Sequence, residues 1–182
     1  MMEREALNLI VFALDFAAQK HRNQRRKDLE ASPYINHPIS LLKVLVTEAN
    51  ITNEVVLVSA LLHDTVEDTN TTFEEIEKNF GVDIAEIVKE VTDDTSLTRE
   101  ERKSQQIQHA PLLSKEAALV KFADKISNLR DLIYLPPKHW SPERKKDYCE
   151  WAIKVIQNIP NPNPTLLSLF EETVRAFKQQ QF

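Results

Sequence analysis

The stretch most able to do chemistry is Ala60-Leu61-Leu62-His63-Asp64-Thr65-Val66-Glu67-Asp68-Thr69. It sets an imidazole and three carboxylates at the polar end of an apolar run. His63 stands four residues before Glu67, and Asp64 four before Asp68, so in a continuous helix each pair shares one face over one turn. Carboxylates crowded beside a histidine repel one another unless a cation lies among them. A divalent metal supplies that charge, and imidazole and carboxylate groups are its usual ligands. The bland alternative is a helix end with solvated acids. The apolar residues 55–62 count against it, because they draw His63 toward the interior, where a histidine beside an aspartate needs a partner.

Two further places can complete such a site. In Tyr34-Ile35-Asn36-His37-Pro38 a histidine stands just before a helix start, unless it merely flanks the helix. In Leu119-Val120-Lys121-Phe122-Ala123-Asp124-Lys125-Ile126-Ser127-Asn128-Leu129 an acid sits among apolar residues; the competing role for Asp124 is a structural carboxylate paired with Lys121 or Lys125. Asn128 lies one turn further along the same face. Lys20, Arg22, Arg25, Arg26 and Lys27 form a basic run that is either a solvated loop or an anion contact. Arg144 and Tyr148 are four apart and share a helix face. Cys149, close to Trp151, reads as packing rather than as a nucleophile. His109 and His139 fit no ligand spacing.

Helices must position these groups, since apolar spacing is helical almost throughout. The pattern predicts a first helix ending near Arg22, a basic loop over 23–36, and helices over about 38–48 and 52–66. Thr71 and Thr72 each precede a glutamate by three residues, the capping-box spacing, and open a short helix stopped by Gly81. Further helices are expected over 82–92, from Thr98 to about 109, over 114–135, from Ser141-Pro142 to 159, and from Pro164 to about 179. The expected fold is all-α, a single compact domain over 1–182 with nine or ten helices.

Composition narrows the function. Apolar residues make up 42% and charged residues 28%, an ordinary globular balance. A net charge of -5 argues against a general nucleic-acid or anionic-membrane binder. One glycine, Gly81, excludes the glycine-rich phosphate cradles of Rossmann and P-loop proteins. One cysteine permits neither an intrachain disulfide nor a cysteine metal cluster. The most apolar early stretch, 9–14, is far short of the roughly 20 residues a membrane span needs. A cytoplasmic location is expected.

With His37, His63-Asp64 and Asp124 in this order, the chain resembles the HD-domain metal-dependent phosphohydrolases. More narrowly, it resembles the hydrolase domain of the RelA/SpoT alarmone family, especially its short, hydrolase-only metazoan members. The phrases that carry this are Arg26-Lys27, Pro33-Tyr34-Ile35-Asn36-His37-Pro38, His63-Asp64-Thr65-Val66-Glu67-Asp68-Thr69, Val91-Thr92-Asp93-Asp94 and Ala123-Asp124-Lys125-Ile126-Ser127-Asn128-Leu129-Arg130. They fall within residues 4–158. The resemblance implies one divalent metal on His37, His63, Asp64 and Asp124. Manganese suits two nitrogens and two oxygens without thiolates, and zinc or iron can enter the same set.

It implies Glu67 as general base or water-orienting group, assisted by Asp68. Arg26, Lys27 and Asn128 become nucleotide contacts, with Arg99, Arg144 and Tyr148 as further contacts. Residues 28–32 lengthen the loop between the basic pair and His37 relative to many family members. The implied activity is hydrolysis of the 3′-pyrophosphate of guanosine tetra- or pentaphosphate, giving GDP or GTP and pyrophosphate. The implied partner is a small-molecule nucleotide, with no nucleic acid and no membrane. Two other readings stay open: an HD phosphohydrolase acting on another nucleotide such as NADPH, and a catalytically silent nucleotide-binding module. The silent module would be marked by a lost ligand or a lost Glu67-Asp68, and neither is lost.

Overall fold

The computed structural model describes residues 4–180, and these form an all-α fold. Ten α-helices follow in order: α1 (Arg4–Lys20), α2 (Asn36–Lys43), α3 (Glu54–Leu62), α4 (Thr65–Asp68), α5 (Phe73–Phe80), α6 (Val82–Val91), α7 (Arg99–His109), α8 (Lys115–Tyr134), α9 (Pro142–Gln157) and α10 (Pro164–Lys178). A π-helical turn, Val44–Glu48, extends α2, and a 3₁₀ turn, Ala110–Leu112, extends α7. Among the described residues there is no strand, only an isolated bridge between Arg25 and Pro33.

The core is built on α3. Every residue from Val56 to Leu62 is buried, so this helix is apolar all round rather than on one stripe. It packs against α1, α2, α6 and α8. The second inner helix, α8, buries Val120, Phe122, Ala123, Ile126 and Leu129, and packs against α2, α3, α6, α9 and α10. Burying one leucine such as Leu61 or Leu62 contributes about 1.5–3 kcal/mol. Arg130 of α8 makes a two-pronged ion pair with Glu48 at 2.7 and 2.8 Å, which ties α8 to the π turn.

Most starts follow the caps read from sequence. Thr72, Thr98, Ser114 and Ser141 each accept a backbone N–H three residues on, and Thr98 with Glu101 completes a capping box. Thr71 does not cap; its hydroxyl meets that of Thr69 at 2.8 Å.

Two boundaries differ from the expected ones. α2 begins at Asn36, so His37 lies inside its first turn. The expected continuous helix over 52–66 breaks after Leu62, because the Thr65 hydroxyl takes the Leu62 carbonyl at 2.7 Å and Asp64 adopts φ -100°, ψ -2°. His63 and Glu67 therefore do not share one helix face.

Residues 28–32 close on themselves. The Asp28 carboxylate accepts the N–H groups of Glu30 and Ser32 at 3.0 and 3.1 Å, and the Arg26 N–H donates to the Ser32 carbonyl at 2.8 Å. The extra residues are thus taken up in a turn beside Arg26-Lys27 and Tyr34, as Asx chemistry favours.

Gly81 joins α5 to α6 at φ 90°, ψ 165°, a region open essentially to glycine alone. A Cβ there meets nothing within 4 Å, so any cost of adding one is backbone strain. Gly81→Ala is expected to lower stability by about 1–3 kcal/mol. In urea unfolding this appears as a lower midpoint with an unchanged m-value; an unchanged midpoint would contradict it.

Candidate metal centre

The break after α3 turns His63 and Asp64 out of the core and toward α8. The His63 Nδ1 lies 2.8 Å from the Ala60 carbonyl. A carbonyl only accepts, so Nδ1 carries a proton and Nε2 faces the cavity. That Nε2 is buried without a hydrogen-bond partner, although Asp64 Oδ2 lies 2.9 Å away. His37, on α2, has its Nδ1 at 3.4 Å from the Ser127 hydroxyl, which in turn bonds the Ser40 hydroxyl. Its Nε2 faces Asp124 Oδ1 at 3.3 Å and Asp64 Oδ2 at 3.8 Å.

The ligand atoms of His37, His63 and Asp124 all lie within 4.8 Å of one another. Asp64 Oδ2 completes the group, through its approach to both imidazoles. Atoms bound at about 2.0–2.2 Å to a common centre lie about 3–4 Å apart, which these separations match. The chemistry fits as well: neutral Nε2 lone pairs set against carboxylate oxygens repel unless a proton or cation stands between them.

The protonation balance shows the same conflict. Burial pushes both imidazoles toward neutrality. It prevails at His37, whereas at His63 Asp64 and Asp124 outweigh it and raise the pKa. Burial would raise the Asp64 carboxyl, but His63 and His37 hold it well below the usual range. Lys125, with the two histidines, does the same for Asp124. Glu67 goes the other way. Burial, then Asp93 and Asp64, push it from 4.5 to about 7, although the Asp93 N–H donates to it at 3.2 Å. A buried acid beside other acids resists ionisation.

One cavity of about 320 Å³ brings together His37, His63, Asp64, Glu67, Asp68 and Asp124 with Lys27, Asn128 and Tyr148. Asp68 Oδ2 accepts from Gln24 at 2.8 Å. An adjoining cavity of about 260 Å³ takes in Arg26 and shares Lys27, Asn128 and Tyr148 with the first. Arg26 lies against Tyr34, 5.5 Å from the ring centre, and pairs with Asp131. Asn128 donates to Asp124 Oδ1 at 2.5 Å. Arg144 and Arg99 stand outside the metal cavity, 4.3 and 6.0 Å from the ring centre of Trp140, which lines the adjoining one. Tyr148 packs between Trp140 and Trp151. The two arginines thus approach the site through an aromatic wall.

Sequence reasoning missed two supports and left a third open between two lysines. The Tyr34 hydroxyl donates to Asp64 Oδ2 at 2.5 Å. Lys125 fixes Asp124 Oδ2 at 2.9 Å, while Oδ1, which also accepts from Asn128, faces the histidines; spacing alone could not choose between Lys125 and Lys121. Arg102, in a helix that buries no residue, reaches Glu67 at 3.5 Å. Its i, i+3 and i, i+4 neighbours gave no sign of this distant pairing.

A helical core that converges two histidines and two aspartates in this order defines a class. An HD-domain model matches residues 13–152, and the chain belongs to the HD-domain family. Among curated relatives, the guanosine-3′,5′-bis(diphosphate) 3′-pyrophosphohydrolase MESH1 of Xenopus tropicalis is 54% identical, over 87% of this chain and 88% of its own. The Homo sapiens MESH1 is 51% identical over 98% of both chains. A solved structure, described as a metazoan ortholog of SpoT that hydrolyzes ppGpp and plays a role in starvation responses, superposes with a TM-score of 0.89 at 48% identity. It covers 92% of this chain and 94% of that one. Membership of this family brings a divalent metal to the site.

Titration calorimetry with Mn²⁺ separates ligand from neighbour. His63→Ala is expected to weaken binding by more than about 100-fold, beyond the 10–100-fold typical of groups that only orient a ligand. Glu67→Gln is expected to bind within a few-fold of wild type. Lost binding in Glu67→Gln would move that residue into the ligand set.

Proposed function

We propose that this chain is a manganese-dependent guanosine-3′,5′-bis(diphosphate) 3′-pyrophosphohydrolase, with the whole chain acting as one hydrolase domain. The observation that carries the reading is the cavity in which His37, His63, Asp64 and Asp124 converge beside Glu67, an acid raised to about 7. The names of relatives 54% and 51% identical support the substrate. Two imidazoles and two carboxylates without a thiolate support manganese.

A divalent cation, which these four residues would hold, would supply Lewis acidity and lower the pKa of a bound water. Glu67 takes the proton of the attacking water. The water oxygen bonds the phosphorus attached to the ribose 3′ oxygen, and the bond from phosphorus to that oxygen breaks. The departing 3′ oxygen then receives the proton that Glu67 took, leaving GDP or GTP and pyrophosphate. An acid whose pKa is raised toward the working pH suits both halves of the transfer. Arg102 and the Asp93 N–H hold the Glu67 carboxylate from two sides. Asp68, held by Gln24, assists Glu67.

Arg26 and Lys27 contact the nucleotide phosphates, Arg26 by exchanging Asp131 for phosphate, a planar fork meeting either partner. Asn128 contacts the ribose. Arg99 and Arg144 reach the substrate along Trp140, and Tyr148 meets it where the two cavities join.

Product analysis tests the reaction. The Mn²⁺-loaded protein is expected to convert guanosine 5′-diphosphate 3′-diphosphate to GDP and one pyrophosphate. Orthophosphate alone, or cleavage of the 5′ arm, would overturn the reading, and orthophosphate from NADPH would redirect it to another nucleotide.

The pH profile tests the base. Glu67 accepts a proton only when ionised, so kcat/KM falls as pH drops through its pKa. Because a cation beside Asp64 draws that pKa down from its metal-free position, the limb is expected between 4.5 and about 7. Glu67→Gln is expected to lose about 10²–10⁴-fold in kcat together with this limb; a retained limb would assign it to another group.

A further inference from the structure

Lys121 is a buried cation that the reaction above does not use. It precedes Asp124 by three residues on α8 and is 7% exposed. Its ammonium donates to the Val91 carbonyl at 3.1 Å. Among the described residues no carboxylate lies within ion-pair distance of it. An ammonium offers three donors, and a buried charge met by one neutral acceptor is poorly compensated. Burial, then the neighbouring Lys125, lower its pKa against the opposing pull of Asp124, Asp93 and Asp64.

Its position says which anion is missing. Lys121 lines the metal cavity and also a second cavity of about 530 Å³ behind it; Asp93 and Gln106 complete the shared wall. Asp93 is turned toward Gln106, whose amide nitrogen donates to both its oxygens at 2.8 and 2.7 Å. Gln106 Oε1 is buried without a hydrogen-bond partner. The other two lysines of the metal cavity are placed differently. Lys125 is held by Asp124 and lies 4.4 Å from the ring centre of Trp151. Lys27 opens onto the adjoining cavity with Arg26. Lys121 is the cation on the wall away from the nucleotide.

A 3′-diphosphate attacked at its inner phosphorus has its nucleoside on one side and its terminal phosphate on the other. We propose that Lys121 receives that terminal phosphate and so makes the site select a diphosphate over a single ribose phosphate. The assignment rests on the hydrolase reading above.

The test uses Mn²⁺-loaded full-length protein with two inorganic probes, pyrophosphate and orthophosphate, read by thermal shift over a concentration series. Lys121→Met is expected to weaken pyrophosphate about 10–100-fold, the range for one charge-assisted hydrogen bond, with orthophosphate unchanged. Lys121→Arg is expected to keep most of the pyrophosphate affinity. Should Lys121→Met not fold, Lys121→Gln gives the same comparison.

In kinetics, Lys121→Met should lower the preference for guanosine 5′-diphosphate 3′-diphosphate over guanosine 5′-diphosphate 3′-monophosphate by a similar factor. A purely structural lysine would weaken both probes equally or neither, and either result overturns the proposal. If the wild-type protein cleaves neither nucleotide, the hydrolase reading fails, while the paired probes still decide whether Lys121 holds a terminal phosphate.

Discussion

The fold brings two buried imidazoles and two partly buried carboxylates together at one end of a cavity. His37 and His63 are 3% and 5% exposed. Without positive charge among them, lone pairs and anions oppose one another at 2.9–3.9 Å. A proton on His63 relieves this in part. A cation would relieve it fully by taking all four groups as partners at once. Other polar contacts of the site are arranged around that requirement: the Ala60 carbonyl sets the His63 tautomer, while Lys125 and Tyr34 each occupy one oxygen of an aspartate.

The rigidity this requires comes from the two inner helices. α3 is buried on every side, and it ends where Thr65 diverts the Leu62 carbonyl. The core thus fixes the exact turn that presents His63 and Asp64. α8 presents Asp124 from a helix that touches five others and is clamped to the π turn by Arg130. The two acids beside them are held differently. Glu67 and Asp68 lie on the short α4 and depend on polar partners from the 92–98 connection, α7 and the basic loop. Groups anchored on or beside stiff helices, with acids on a polar rim, would suit a centre that keeps its cation while protons and product move.

Much of this was legible in the sequence because it is local. Apolar spacing, the threonine and serine caps and the prolines mark the helices, and the order of His37, His63-Asp64 and Asp124 marks the site. The break at His63 was not legible, since apolar periodicity runs through it and the cause is one hydroxyl bonding a carbonyl three residues back. The closed turn over 28–32 needed the Asp28 side chain to be seen accepting two N–H groups. Arg102 with Glu67, and Lys125 rather than Lys121 with Asp124, depend on how helices distant in sequence meet. No spacing rule within one helix contains that information.

The central claim is that one cation completes the cluster of His37, His63, Asp64 and Asp124. Thermal unfolding of chelator-treated protein, titrated with Mn²⁺, tests it directly beside Asp124→Asn. A ligand bound only by the folded state adds about 2.7 kcal/mol at one hundred times its Kd. The account predicts that the wild-type Tm rises with Mn²⁺ at a stoichiometry of one, and that the rise is largely lost in Asp124→Asn. No rise in the wild type, or an equal rise in the variant, would contradict it.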